Sequence, residues 1–230
     1  MLKWYHFFYD LGTDKLEPKD ELFATLDVTA HPAILPSQLG TYFIDTVGFI
    51  SDIPTELITS FSATLEDASL ADLLIHVRDV SHQDHEAQNA NVLKTLRNLQ
   101  MPSELRKTMI TVGNKIDLIP ESDCELVRED GMIPISCSNG DNMEELIELI
   151  DQTLIKSTNR IEATFLVATG SDEYRAIIKE FNIKDIEVDE DDPNCAMIKT
   201  IALDYQVNKF KDYLMWKLNK NYWILFLICD

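Results

Sequence analysis

Three short stretches hold residue types that could do chemistry, and they come in a suggestive order: Asp45-Thr46-Val47-Gly48, Asn114-Lys115-Ile116-Asp117 and Ile135-Ser136-Cys137. Each stands at the end of an apolar run. An aspartate that closes a strand, followed three residues on by glycine, suits a carboxylate facing a metal-bound phosphate and a backbone amide free to approach it. The Asp117 carboxylate can accept hydrogen bonds from both the ring N–H and the exocyclic amine of guanine. Adenine lacks that donor pair and would leave a buried carboxylate unpaired, so discrimination can be large. Lys115 would lay its stem over the base, and Asn114 would tie neighbouring loops together. The small Cys137 after Ser136 would let a backbone amide reach the guanine carbonyl oxygen. Alone, an Asn-Lys-x-Asp tetrapeptide is also what a polar turn looks like. The three stretches in this order argue for the nucleotide reading.

The elements that must position these residues follow from hydrophobic pattern. Continuous apolar runs predict strands over 42–45, 72–80, 109–112 and 132–135, covered on both faces. Helical stripes predict helices over 57–65, 87–99 and 142–155, with Asp141 and Glu144 as a capping pair at the start of the last. Strands alternating with helices imply an α/β domain with a mostly parallel sheet. After Thr158 the pattern changes to strands over 164–168, 183–188 and 196–203 and helices over 172–180 and 205–218, a small α+β domain. The acidic run 187–192 reads as a solvated hairpin turn.

Bulk properties narrow the function classes. The chain has 230 residues, 45% hydrophobic and 26% charged, and a formal charge of -20, which argues against a nucleic-acid-binding surface spread over the whole chain, and no direct DNA binding is expected. The four cysteines form no C-x-x-C pair, so a zinc knuckle or disulfide framework is not expected. His82 and His85 sit in a polar stretch and read as a surface loop. The apolar run near the end is too short to span a bilayer. A cytoplasmic location is the default.

Phe23-Ala24-Thr25-Leu26-Asp27, together with DTVGF, HVRDVSH, NKID and ISC, resembles the HflX family of translation-associated GTPases, in particular its animal branch. The resemblance covers roughly residues 15–214. It implies an incomplete Ras-like GTPase domain with a mostly parallel sheet over 15–158, then a small α+β C-terminal domain over 159–218. Residues 1–14 and 219–230 stand as an atypical leader and tail. It further implies GTP or GDP as ligand, Mg²⁺ as cofactor and the large ribosomal subunit as partner, with a role in translation or ribosome assembly or recycling. Phe23, Ala24, Thr25, Leu26 and Asp27, then Asp45, Thr46, Val47 and Gly48, then Asn114, Lys115, Ile116, Asp117, Ser136 and Cys137 would line the GTP site. Thr25 would hold Mg²⁺ and Asp45 would approach it through water. The animal branch implies a mitochondrial location as the alternative to the cytoplasm.

Two departures bear on activity. Phe49 stands where many GTPases place a Gln to orient the attacking water, so no catalytic side chain is assigned and slow hydrolysis aided by a partner is implied. Of seven glycines, none is followed by lysine, so these residues contain no G-x-x-x-x-G-K-[ST] loop. A micromolar nucleotide site is worth about 8 kcal/mol. Losing three or more charge-assisted hydrogen bonds, at about 1.5–3 kcal/mol each, removes most of that. Millimolar or weaker GTP binding is expected of the chain as it stands, whose alternatives are a non-catalytic binding remnant or a non-functional truncated product. The aromatic segment 3–9, KWYHFFY, has the composition to fill the slot of the family's central first strand. The alternative is that leader and tail come from a misread gene boundary.

Overall fold

The computed structural model describes residues 29–45, 68–188, 192–217 and 226–228. The expected helix over 57–65 and the strand-like segment 3–9 lie outside the described residues. The chain divides into two compact units, residues 1–33 with 41–150 and residues 34–40 with 151–230.

β1 (Thr29–Ile34) and β2 (Gly40–Asp45) pair as a two-stranded sheet of their own. The apolar run over 42–45 predicted a strand covered on both faces. β2 instead exposes Tyr42 and Ile44, because its one strand neighbour among the described residues is β1 and nothing there layers over that face. β1 gave no strand signal in the sequence, since Pro32 interrupts it. Proline in a strand is confined to places where its missing N–H is not needed.

The first unit holds a parallel sheet of β3 (Ile75–Asp79), β4 (Ile110–Asn114) and β5 (Ile133–Ile135), in the order β3-β4-β5. Parallel neighbours need long crossovers. α1 (His85–Asn98) and α2 (Ser103–Lys107) carry the chain from β3 to β4, and α3 (Glu121–Glu129) carries it from β4 to β5. Val92 and Leu96 of α1 and Leu105 of α2 pack with Met101, Leu74 and Met109. On β4 and β5, Val112 and Ile135 are fully buried, as expected for strands covered on both faces. Val127 of α3 packs on Val80 and Met132. That packing explains Gly113. A Cβ there would stand 2.6 Å from Val127 Cγ1 and 3.0 Å from Val80 Cγ1, so only glycine lets the helix lie so close to the strand.

α4 (Met143–Ser157) follows, and the division between units falls inside it, between residues 150 and 151. Asp141 does not cap it with its side chain. Its backbone bridges to Ser136, and Asn142, between Asp141 and the helix, has φ +57. The second unit is an antiparallel sheet of β6 (Arg160–Ala168), β7 (Ile183–Val188), β8 (Cys195–Leu203) and β9 (Phe226–Ile228), in the order β7-β8-β6-β9. α5 (Asp172–Glu180) and α6 (Asp204–Lys217) complete it. Ser171 caps α5, accepting from the Tyr174 amide at 3.1 Å. Alternation puts Ala163, Phe165 and Val167 on one face of β6, where they meet Ile198, Ile177, Val207 and Leu214. The rings of Phe165, Phe181 and Phe210 lie 5.1–5.8 Å apart. β7 and β8 pair antiparallel with Val188 opposite Ala196, so Glu187 and Val188 of the acidic run belong to β7, while 189–191 lie outside the described residues. β9 lies in the stretch read as an atypical tail, and it pairs with β6 at Ala163 to Phe165.

Candidate functional site

The polar residues of the first unit gather where β3, β4 and β5 end. The register sets Asp79 opposite Asn114 and Asn114 opposite Ile135, so three strands deliver their last residues to one edge. Carboxyl ends of parallel strands, with loops leading into helices, are where open α/β sheets place ligands.

Asn114 is buried and its side-chain oxygen accepts the Cys137 amide at 3.0 Å, across 23 residues. That bond links the end of β4 to the loop after β5. Asp117 Oδ1 accepts the Ser136 hydroxyl at 2.6 Å, and Ser136 Oγ accepts the Asn139 amide at 3.1 Å. Ser136 is itself fully buried. Asp117 is exposed, and its Oδ2 has no protein partner among the described residues. The loop after Ser136 is closed by the Gly140 amide donating to the Ser136 carbonyl at 2.8 Å, and Gly140 has φ +84, which favours glycine. Ile116 opens the short 3₁₀ turn Ile116–Leu118 and packs against Val80, Val127 and Met132.

Cys137 is buried, and burial first, then the Asp117 charge, push its thiol up to about 11. It is therefore a neutral, unreactive thiol, and its amide is already given to Asn114. Its place in the site is as a small residue that lets the two loops close.

Lys115 stands in the left-handed region with φ +70. Its ammonium meets Asp79 Oδ2 at 2.5 Å. The other oxygen of Asp79 accepts the Ser81 amide at 3.1 Å and the Ser81 hydroxyl at 2.6 Å. Partial burial pushes the Asp79 carboxyl upward, but the hydrogen bonds and charge of Lys115, with those of Ser81, outweigh it and hold the group below its ordinary value. Asp79 and Ser81 lie in the HVRDVSH stretch, but neither was given a role from the sequence. The signal was present, because Asp79 closes an apolar strand in the way Asp45 closes β2.

One residue before Asp79, Arg78 is buried on the other face of β3. It donates to Glu86 at 2.6 Å and to Met132 Sδ at 3.2 Å, while its Nε has no partner among the described residues. Next to it on that face, His76 is held down to about 4, by burial first and then by the Arg78 charge, so its ring is neutral. His82 and His85 lie in and just after the β3–α1 loop, and His82 accepts the Asp84 amide at 3.1 Å. Among the described residues, no group of three or more His, Cys, Asp or Glu could hold a metal ion.

Asp45 is exposed at the end of β2. A carboxylate is the hard oxygen donor that Mg²⁺ takes, with water filling most of its shell, so Asp45 fits the expected role. Phe23 to Asp27, with the metal-binding candidate Thr25, and Thr46 to Gly48 lie outside the described residues, as does Phe49. The structure thus brings together Asn114, Lys115, Ile116, Asp117, Ser136 and Cys137.

No protein-family model matches the chain. Curated relatives do. The chain is 40% identical over 200 residues to "Putative GTP-binding protein 6" of Homo sapiens, covering 87% of this chain and 38% of that protein. It is 41% identical over 202 residues to the Xenopus laevis protein of the same name, covering 87% and 37%. It is 38% identical over 147 residues to "GTPase HflX" of Caldanaerobacter subterraneus, covering 64% and 33%. The chain thus spans a little over a third of the animal proteins it matches.

Proposed function

From the premise that the chain belongs, over the 87% of its length that aligns, to the HflX-type GTP-binding proteins, we propose that the ends of β4 and β5 form the guanine-recognising half of a GTP site. The observation that carries this reading is the pair of bonds Asn114 to Cys137 and Ser136 to Asp117. They join two motifs about twenty residues apart into one loop cluster and leave one carboxylate oxygen of Asp117 for a ligand. The Asp117 carboxylate takes the guanine ring N–H and exocyclic amine. Ser136 fixes that carboxylate from behind, and Lys115 provides a wall for the base.

The rest of the site is drawn from family likeness and the residue types. Thr25 and Asp45 are the Mg²⁺ candidates, and Gly48 offers its amide to the γ-phosphate. The ion, when bound, neutralises charge on the phosphates. Phe23, Ala24, Leu26, Asp27, Thr46, Val47 and Ile116 complete the lining. GTP affinity of these residues alone is millimolar or weaker, because no Gly-Lys pair is present to cradle the β- and γ-phosphates. The relatives' HflX identity supports a ribosome-associated role in translation, with the large subunit as partner.

The test is nucleotide titration followed by NMR at millimolar ligand. GTP and GDP should shift amides near 114–117 and 136–138, while ATP should not. Removing a hydrogen bond to a charged group costs about 1.5–3 kcal/mol. Asp117→Asn should therefore weaken GTP at least about tenfold and turn the preference to xanthosine nucleotides, whose ring presents an acceptor in place of the amine. Equal response to ATP and GTP would refute the guanine reading.

A further inference from the structure

Asp79 lies in the HVRDVSH stretch, where it was given no role, yet its carboxylate is built into the same edge. Its two oxygens are divided. One is saturated by the amide and hydroxyl of Ser81, and the other holds the Lys115 ammonium. The register places Asp79 beside Asn114 at the ends of neighbouring strands, so this link spans one strand spacing at the mouth of the site.

The backbone of Lys115 makes the arrangement specific. A left-handed conformation costs a non-glycine residue roughly 1–2 kcal/mol. Here it is held on both sides, by the Val80 amide on the Asn114 carbonyl at 3.1 Å and the Leu118 amide on the Lys115 carbonyl at 3.0 Å. With the Cα fixed at the end of β4 and the ammonium fixed on β3, the methylene stem is pinned at both ends, between the two strand ends. A free lysine would sample many rotamers and lose that freedom on covering a base. A tethered one has lost it beforehand, which is the benefit of preorganisation.

We propose that Asp79, braced by Ser81, is a positioning residue that holds Lys115 pinned as the wall against which a guanine base stacks. This rests on the guanine reading above. Asp79 contributes affinity for the base without choosing among bases, which is the task of Asp117.

The tests separate the two claims. Asp79→Asn keeps an oxygen acceptor for Ser81 and the shape of the side chain, so the fold is retained, but it removes the charge that holds Lys115. The expected result is about tenfold weaker GDP binding by NMR titration, with the preference for guanine over adenine and xanthine nucleotides unchanged. Asp79→Glu, which restores the charge, should recover most of the loss. In the unliganded protein, the slowly exchanging ¹⁵Nζ signal of Lys115 should be present, vanish in Asp79→Asn and return in Asp79→Glu. Unchanged GDP affinity and an unchanged Lys115 signal in Asp79→Asn, while Asp117→Asn still switches preference to xanthosine nucleotides, would overturn the positioning role and leave the guanine reading standing. No base preference in the unmodified chain would overturn the reading itself, and the positioning role with it.

Discussion

The ends of β4 and β5 and the open face of the four-stranded sheet both carry polar and charged residues, on opposite terms. At the strand ends, Asn114 and Ser136 are 3% and 0% exposed, and each is satisfied by a partner about twenty residues away in sequence. On the sheet face turned from Phe165, Lys184 pairs with Glu162 and Lys199 with Glu187, all with 30–45% of their side chains exposed. Buried polar groups cost free energy unless every bond is made, whereas exposed ion pairs contribute little. The second unit keeps buried polar groups as well, Ser37 bonded to Asp151 and Thr200 bonded to the Asn182 carbonyl, each of them satisfied. What sets the strand ends of the first unit apart is the exposed Asp117 carboxylate fixed by a buried hydroxyl, with one oxygen unclaimed among the described residues, which is the oxygen the proposed guanine reading uses.

The largest effect expected from breaking this contrast lies in the second unit. Phe165 is fully buried against Phe181 and Phe210. Phe165→Ala should cost about 3–5 kcal/mol by lost transfer energy and the cavity left behind. Denaturation followed by hydrogen exchange would show amides of β6 and β8 losing protection while those of β3 and β4 keep it. Equal loss in both units would show that they unfold as one.

The next effect is smaller in energy and sharper in place. Asn114→Ala removes the acceptor of the buried Cys137 amide, and an unsatisfied buried donor costs roughly 1–3 kcal/mol. Exchange at the Cys137 and Asn139 amides should speed up while the Phe165 core stays protected. If the two amides remained as protected as before, Asn114 would not be what joins the loops.

What the sequence made legible follows the same division. β4 and the loop after it could be read because an apolar run ends in Asn-Lys-Ile-Asp, and local pattern suffices for that. α5 and β7 were legible for the same reason, since local pattern placed a helix over 172–180 and a strand over 183–188. Asp79 was legible as a type, a carboxylate closing a strand, but its partner was not, because that comes from register: only the pairing of β3 with β4 brings it to Lys115, 36 residues away. The bond from Ser37 to Asp151, which ties the loop after β1 to α4 with an amide at 2.8 Å, is more distant still and left no trace in periodicity. Residues that act at strand ends are visible as types, and their partners become visible only with topology.

The smallest expected effect sharpens the comparison from the other side. Lys199 lies at a strand pairing where Glu187 and Asp185 both reach it, at 2.5 Å and 3.9 Å. The hydrogen bond to Glu187 leads in raising its pKa above the ordinary lysine value. A raised basic pKa gives stability that is present at neutral pH and lost as pH rises through the lysine range. The group is solvated, however, and mobile charges screen it. Lys199→Ala should lower the denaturation midpoint of the second unit by less than Asn114→Ala lowers that of the first. The difference should shrink further at about 1 M salt, where the screening length falls to about 3 Å. Substituting Glu187 as well should add almost nothing, since the pair is one interaction. A Lys199→Ala effect that matched Asn114→Ala and persisted in high salt would mean that this face is buried in the folded protein, and the contrast between the two polar clusters would no longer single out the strand ends of the first unit.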